Sequence, residues 1–205
     1  MTVSQWYQYL LEEGVTMVED EEGRRTARTC RLEELQPGVD WGSSFSLARH
    51  KGLSPDQKSI LFKLLHQLLP TGERVNRLQP AKSAVCSLCR TGQVDTLLHA
   101  VFNCEANNSA AAAMLRCAQL YSPSLSADGL LRLELEVEDP FTLPTVAIIA
   151  TGVDLIWTNR MKTTTTSEAA MWAELQARAG LLKQTRSRRL REAGAIMANI
   201  LAIQL

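Results

Sequence analysis

The chain predicts a mainly α fold, a helical bundle that carries one small Cys/His knuckle. Three observations point there. Apolar residues recur at three- and four-residue spacing through most of the chain. Only one short stretch, LRLELEVED, alternates with the period of a strand, and it has no partner strand in view. Three cysteines and a histidine crowd into the segment CSLCRTGQVDTLLHAVFNC.

In chain order, QWYQYLLEE predicts a short amphipathic helix. An acidic and then basic stretch follows, with Gly14, Gly23, Pro37 and Gly38, so residues 15–51 are expected to be loosely packed. Order should return at SPDQKSILFKLLHQLLP. Ser54 is an N-cap, and Pro55 sits at the first helical position, where its missing donor costs nothing. Ile60, Leu61, Leu64, Leu65 and Leu68 form the core stripe, and Pro70 is the expected stop. His66 beside that stripe reads as a core-edge residue. Past the Cys/His segment, NNSAAAAMLRCAQLY is a helix capped by Asn107 or Asn108, and its alanine run has high helix propensity. LRLELEVED reads as an isolated extended segment with Glu134, Glu136 and Glu138 in solvent. Pro144 opens a helix whose buried face is Val146, Ile149, Val153, Ile156 and Trp157. Thr165 and Glu168 have capping-box spacing and start a long helix through Trp172, Leu175, Ala179 and Leu182, continuing past Gly194 to Ile200. Two regions result: 1–52, a helix and a partly disordered linker, and 53–205, the helical domain with its knuckle at 86–104.

Cys86, Cys89, His99 and Cys104 make a complete tetrahedral ligand set of three sulfurs and one nitrogen. Thiolate and imidazole suit zinc, a borderline-soft ion without redox chemistry, and four protein donors leave no position for water. One structural zinc ion is therefore the expected cofactor. A redox dithiol at Cys86 and Cys89 would belong near a strand–helix–strand pattern, and none precedes Cys86. On a helix of about 3.6 residues per turn, His99 and Cys104 point apart. They can share an ion only if the helix ends near Asn103 and the chain turns there. Asp95 is the expected cap of that helix, and Asn103 the expected turn residue. Cys30 and Cys117 lie outside the cluster and read as ordinary thiols.

At 205 residues with 45% hydrophobic content, the chain is long enough for one good core. Its formal net charge is zero, so no global field draws nucleic acid or membrane. Charge is nonetheless unevenly spread, acidic over Glu12–Glu22 and basic over Arg178–Arg191. Five cysteines, three of them claimed by a metal, fit a reducing compartment, so the expected location is intracellular, nuclear or cytoplasmic. The N-terminus lacks the pattern of a secretory signal, and the most apolar stretch is short for a bilayer and contains Asp154. No membrane and no small-molecule substrate are expected.

No phosphate-cradling glycine loop, nucleophile elbow or paired acidic metal motif is present, so no enzymatic activity is expected. Nucleic-acid binding is the favoured activity. Arg74, Arg77, Lys82 and Arg90 surround the cluster with Glu73 opposing them, and Arg186, Arg188 and Arg189 form a second basic group. The planar arginine fork suits phosphate, and such contacts make affinity salt-dependent. The alternative is a solvated helix face on a structural or protein-interaction domain, which the acidic Glu12–Glu22 stretch fits better.

CSLC followed by DTLLHAVFNC, after a helix ending LLHQLLPTGERVNRL, resembles the zinc-binding region C-terminal to the reverse transcriptases of non-LTR retrotransposons. The shared features fall on Lys63 to Thr71, Cys86, Cys89, Asp95, Thr96, His99 and Cys104. The later IIATGVDLIWTNR and AELQARAGLL also resemble sequence that follows the cluster in some of these polyproteins. The likeness spans roughly Leu53 to Leu190. Three departures keep all four ligands: an interval between Cys89 and His99 about one residue longer, Asp95 where glutamate is usual, and Phe62 where tryptophan is common. Polymerase and endonuclease motifs are absent. The resemblance implies nucleic-acid handling by a detached C-terminal piece of such an element.

Overall fold

The computed structural model describes residues 38–89, 91–136 and 140–204. Residues Ser43–Leu205 form one compact unit. The helix expected over QWYQYLLEE, the acidic stretch, Cys30, Arg90 and Glu138 lie outside the described residues.

Among the described residues the fold is all-helical, with one isolated antiparallel bridge, Val85 to Val94, and no sheet. Helix α1 (Trp41–Ala48) corrects the expectation of loose packing before Lys51. Its Ser44, Phe45 and Ala48 are buried at helical spacing, a stripe that the glycine- and serine-rich composition conceals. Helix α2 (Pro55–Leu65) starts as expected. The Ser54 hydroxyl accepts from the Gln57 N–H, and the Gln57 side-chain oxygen accepts from the Ser54 N–H, a complete capping box. It ends before Pro70, where Gln67 adopts a left-handed conformation at φ +52°. His66 is half-buried and packs on Phe45 and Phe62, with ring centroids 4.8 and 4.2 Å away.

Helix α3 (Gly72–Leu78) is capped by the Thr71 hydroxyl. Helix α4 (Asn108–Gln119) buries Ala110, Ala111, Ala113, Met114, Cys117 and Ala118. Helix α5 (Ala127–Arg132) replaces the first part of the expected extended segment. The Ser126 hydroxyl caps it, Arg132 pairs with Asp128 and Glu134, and Leu133 ends it in a left-handed turn at φ +55°. Leu131 is buried from within this helix and Leu133 from its left-handed end, so the leucines reach the core without a strand.

Helix α6 (Thr142–Met161) is the central element and packs against α2, α4 and two further helices, α7 (Glu168–Lys183) and α8 (Arg188–Gln204). The expectation of one buried face is too narrow, because Ala147, Ile148 and Ala150 are buried along with Val146, Ile149 and Val153. An apolar circumference of this kind belongs to a helix surrounded by others. Close approach to α4 depends on Gly152, where an added Cβ would lie 2.3 Å from Met114 Sδ.

The single long helix expected after Thr165 is two helices. Ser167, not Thr165, caps α7 by accepting from the Ala170 N–H. The chain turns over 184–187, where Arg191 donates to the carbonyls of Thr185 and Arg186. α8 then folds back on α7, and an added Cβ on Gly194 would lie 2.7 Å from Lys183 N. No helix among the described residues is long and apolar enough to cross a membrane.

Candidate metal centre

The knuckle begins as a short hairpin. The Cys86 N–H donates to Gln93 O at 2.9 Å and the Asp95 N–H to Ala84 O at 2.8 Å, so Cys86 and Cys89 lie within the loop between them. Gly92, at φ +71°, supplies the left-handed residue that closes it. The second pair of ligands comes from the helical turn that follows. Its cap is Thr96, whose hydroxyl accepts from the His99 N–H at 3.1 Å. Asp95, the expected cap, has a different role described below.

The turn does not stay α-helical. His99–Asn103 is a π turn, and the Cys104 N–H donates to His99 O at 2.8 Å, five residues back. In an α-helix, residues five apart stand roughly 140° apart around the axis. Widening the turn to an i→i+5 pattern brings them onto one side. The helix does end at Asn103, but Asn103 is in the π turn, not in a left-handed bend, and Cys104 is extended at φ −75° and ψ 124°. The expected turn at Asn103 is thus replaced by a local change of helical pitch.

All four predicted ligands converge. One donor atom each from Cys86, Cys89, His99 and Cys104 lies within 4.8 Å of every other, and all four residues are buried. Cys86 Sγ and Cys104 Sγ are 3.8 Å apart. Two sulfurs bound to one tetrahedral zinc ion at about 2.3 Å each stand about 3.8 Å apart. His99 Nε2 faces Cys89 Sγ at 3.3 Å, so Nε2 is the nitrogen offered to the cluster. The donor set and its spacing fit a metal ion held entirely by protein.

Protonation at the sulfurs is uneven. Burial pushes the Cys86 thiol up, but the backbone N–H groups of Cys89 and Leu88, Arg160 and His99 outweigh it and hold the group at about 6. Burial, then the neighbouring Cys86 and Cys89 sulfurs, push Cys104 up to about 11 despite a backbone contact from Ala106. The Thr91 hydroxyl lies 3.0 Å from Cys89 Sγ.

Arg160, at the end of α6, is the residue that sequence reasoning missed. Both terminal nitrogens of its guanidinium lie 3.7 Å from Cys86 Sγ, across 74 positions of sequence. The same guanidinium forms a buried ion pair with Asp95, whose other oxygen accepts from the Gly72 N–H at 2.7 Å. An added Cβ on Gly72 would lie 2.9 Å from both Ala84 O and Asp95 Cβ, so glycine lets the hairpin press onto α3. The sequence signals for Arg160 are a basic residue ending a largely apolar helix and its place at the end of IIATGVDLIWTNR. Asn107 is a second connector. Its side chain donates to Ala100 O in the π turn and accepts from the Thr166 N–H, besides standing at the N-cap of α4.

The predicted basic residues fall in two places. Arg74 is half-buried and donates to Gln67 O, Arg77 is exposed and pairs with Glu73 at 3.4 Å, and Lys82 is exposed between α3 and the hairpin. Arg186, Arg188 and Arg189 are exposed at the α7–α8 turn, and Arg188 pairs with Glu192 at 2.7 Å. Trp172 is core and Phe102 half-buried.

No family model, curated protein or solved structure matches this chain.

Proposed function

We propose that this chain is a non-catalytic module that holds one structural zinc ion and binds RNA or DNA, of the kind that follows the reverse transcriptase in non-LTR retrotransposons. The convergence of three sulfurs and one imidazole nitrogen within 4.8 Å carries the metal part of the reading. Four protein donors close the coordination sphere, so the ion would serve the fold and not activate water. Exposed Arg77 and Lys82 beside the knuckle, and Arg186, Arg188 and Arg189 at the α7–α8 turn, support phosphate contacts. The motif's likeness to the retroelement region supports the same activity.

Two measurements test the reading. Metal analysis of the purified chain should find one zinc per molecule, lost in Cys86→Ser. Binding to single-stranded RNA and duplex DNA, titrated with salt, should weaken steeply as salt rises. Replacing Arg77 and Lys82 by alanine should lower the salt slope by about one per charge removed. A zinc-loaded chain that binds neither nucleic acid at low salt would leave a protein-interaction domain as the better reading. One observation favours that alternative: Val85 and Val94 sit side by side on the hairpin, 42% and 49% exposed.

A further inference from the structure

From the contacts around Cys86 we infer that Arg160 is an outer positioning residue of the metal centre, shared between Asp95 and the Cys86 sulfur and fixing that sulfur. The inference rests on the metal-binding reading of the four ligands and adds a fifth residue to it. Three thiolates and a neutral imidazole around a divalent ion leave one negative charge over, beside the buried Asp95 that the same guanidinium pairs with. In a buried site that charge is costly unless it is paired and hydrogen-bonded. Arg160 is 8% exposed and brings its guanidinium to a ligand sulfur.

Its placement is over-determined, which separates a positioning residue from an incidental neighbour. Asp95 holds the guanidinium by an ion pair, the Gly72 N–H holds Asp95, and the Trp157 ring lies 5.9 Å from the guanidinium carbon on the same helix. Two nitrogens directed at one sulfur are a geometry that a single ammonium cannot reproduce. Partners of this kind orient ligands and tune the metal, and losing one typically costs 10–100-fold in affinity.

The test uses the full chain loaded with cobalt(II), whose sulfur-to-metal charge-transfer band reports on each thiolate. Arg160→Gln should weaken cobalt and zinc binding 10–100-fold in chelator competition. It should also move the charge-transfer band to lower energy, because an unbonded thiolate gives up electron density more readily. Arg160→Lys keeps the charge and a similar length, so it should recover part of the affinity while leaving the band shifted. Arg116→Gln, which breaks a surface ion pair with Glu168, is the control for general loss of structure and should change neither readout. If Arg160→Gln does not fold, the lysine variant decides on the band alone. Unchanged affinity and spectrum in either folded Arg160 variant overturn the role of Arg160 and leave the metal site standing. Failure of the unaltered chain to bind cobalt or zinc overturns both.

Discussion

The knuckle and the bundle hold themselves together by different means, and their cysteines show it. Cys117 lies in the α4 face that packs on α6, and burial pushes its thiol up to about 11, so it stays protonated and serves as a small apolar side chain. Cys86 is also buried, though less completely, and backbone N–H groups and Arg160 pull it the other way. One residue type fills space in the bundle and offers a charge in the knuckle. The difference follows from what surrounds each sulfur. Cys117 shares the buried part of α4 with four alanines and Met114, whereas Leu88 and Ala106 are partly buried against the three sulfurs of the knuckle. With so few apolar contacts at the sulfurs the hairpin has little core of its own, and that is where an ion fits.

The largest effect expected is on the knuckle. Chelation of the metal, or Cys104→Ser, should remove a contribution on the order of 10 kcal/mol to local order. Hydrogen exchange should then lose protection over residues 84–104 while α4, α6, α7 and α8 keep theirs. Uniform loss across all the helices would show that the two regions are one cooperative unit, and the contrast would be gone.

Next in size is the converse substitution. Ile149→Ala in the middle of α6 should cost about 2–5 kcal/mol by chemical denaturation, because Ile149 is fully buried and its neighbours are helices that cannot collapse freely. Metal affinity should stay within a few-fold of the unaltered chain. A large affinity loss would mean that the bundle sets the ligand geometry directly.

Asn107 joins the two regions, so Asn107→Ala should move both measurements by less. Two buried hydrogen bonds disappear, so Ala100 O loses the Asn107 amide and the Thr166 N–H keeps Ala106 O alone, at about 1–3 kcal/mol. Both the denaturation midpoint and the zinc affinity should fall. If only one responds, the link between π turn and bundle runs through other residues.

The smallest effect concerns Asp154, the one acidic group of α6. Burial raises its pKa, Asp56 and Glu174 add to the shift, and Lys63 opposes it. A carboxyl whose folded pKa lies above its ordinary 3.8 stabilises the fold fully below that value and loses the contribution as pH rises through the folded pKa. Asp154→Asn should therefore raise the melting temperature slightly at neutral pH, and the gain should vanish in acid. A gain that persists below the ordinary carboxyl range would point to packing as its cause. Zinc affinity should not change, since Asp154 touches no ligand.

How far each feature could be read along the chain depended on its range. Ser54 with Gln57, the stripe from Ile60 to Leu65 and the Asn107 cap position were all correctly placed, since each involves residues within one or two helical turns. The four ligands were placed for the same reason, with a span from Cys86 to Cys104 that folds back on itself. Helix ends were harder. Pro70 suggested a later stop than Gln67 provides, and Thr165 with Glu168 matched a capping box that Ser167 displaces by a direct bond to Ala170. Alternation in LRLELEVED pointed to extended chain, but Leu131 is buried from within α5 and Leu133 from the left-handed turn that ends it.

The four candidate donors and the all-helical class were written into local order and side-chain chemistry, because a thiolate or an apolar stripe has the same preference wherever it lies. Three-dimensional packing alone settled the break between α7 and α8, the π turn that aims His99 and Cys104 together, and the meeting of Arg160 with Cys86 and Asp95. Those depend on which distant surfaces come into contact. A charge ending an apolar helix is an ordinary surface feature until folding carries it 74 positions back to a buried sulfur.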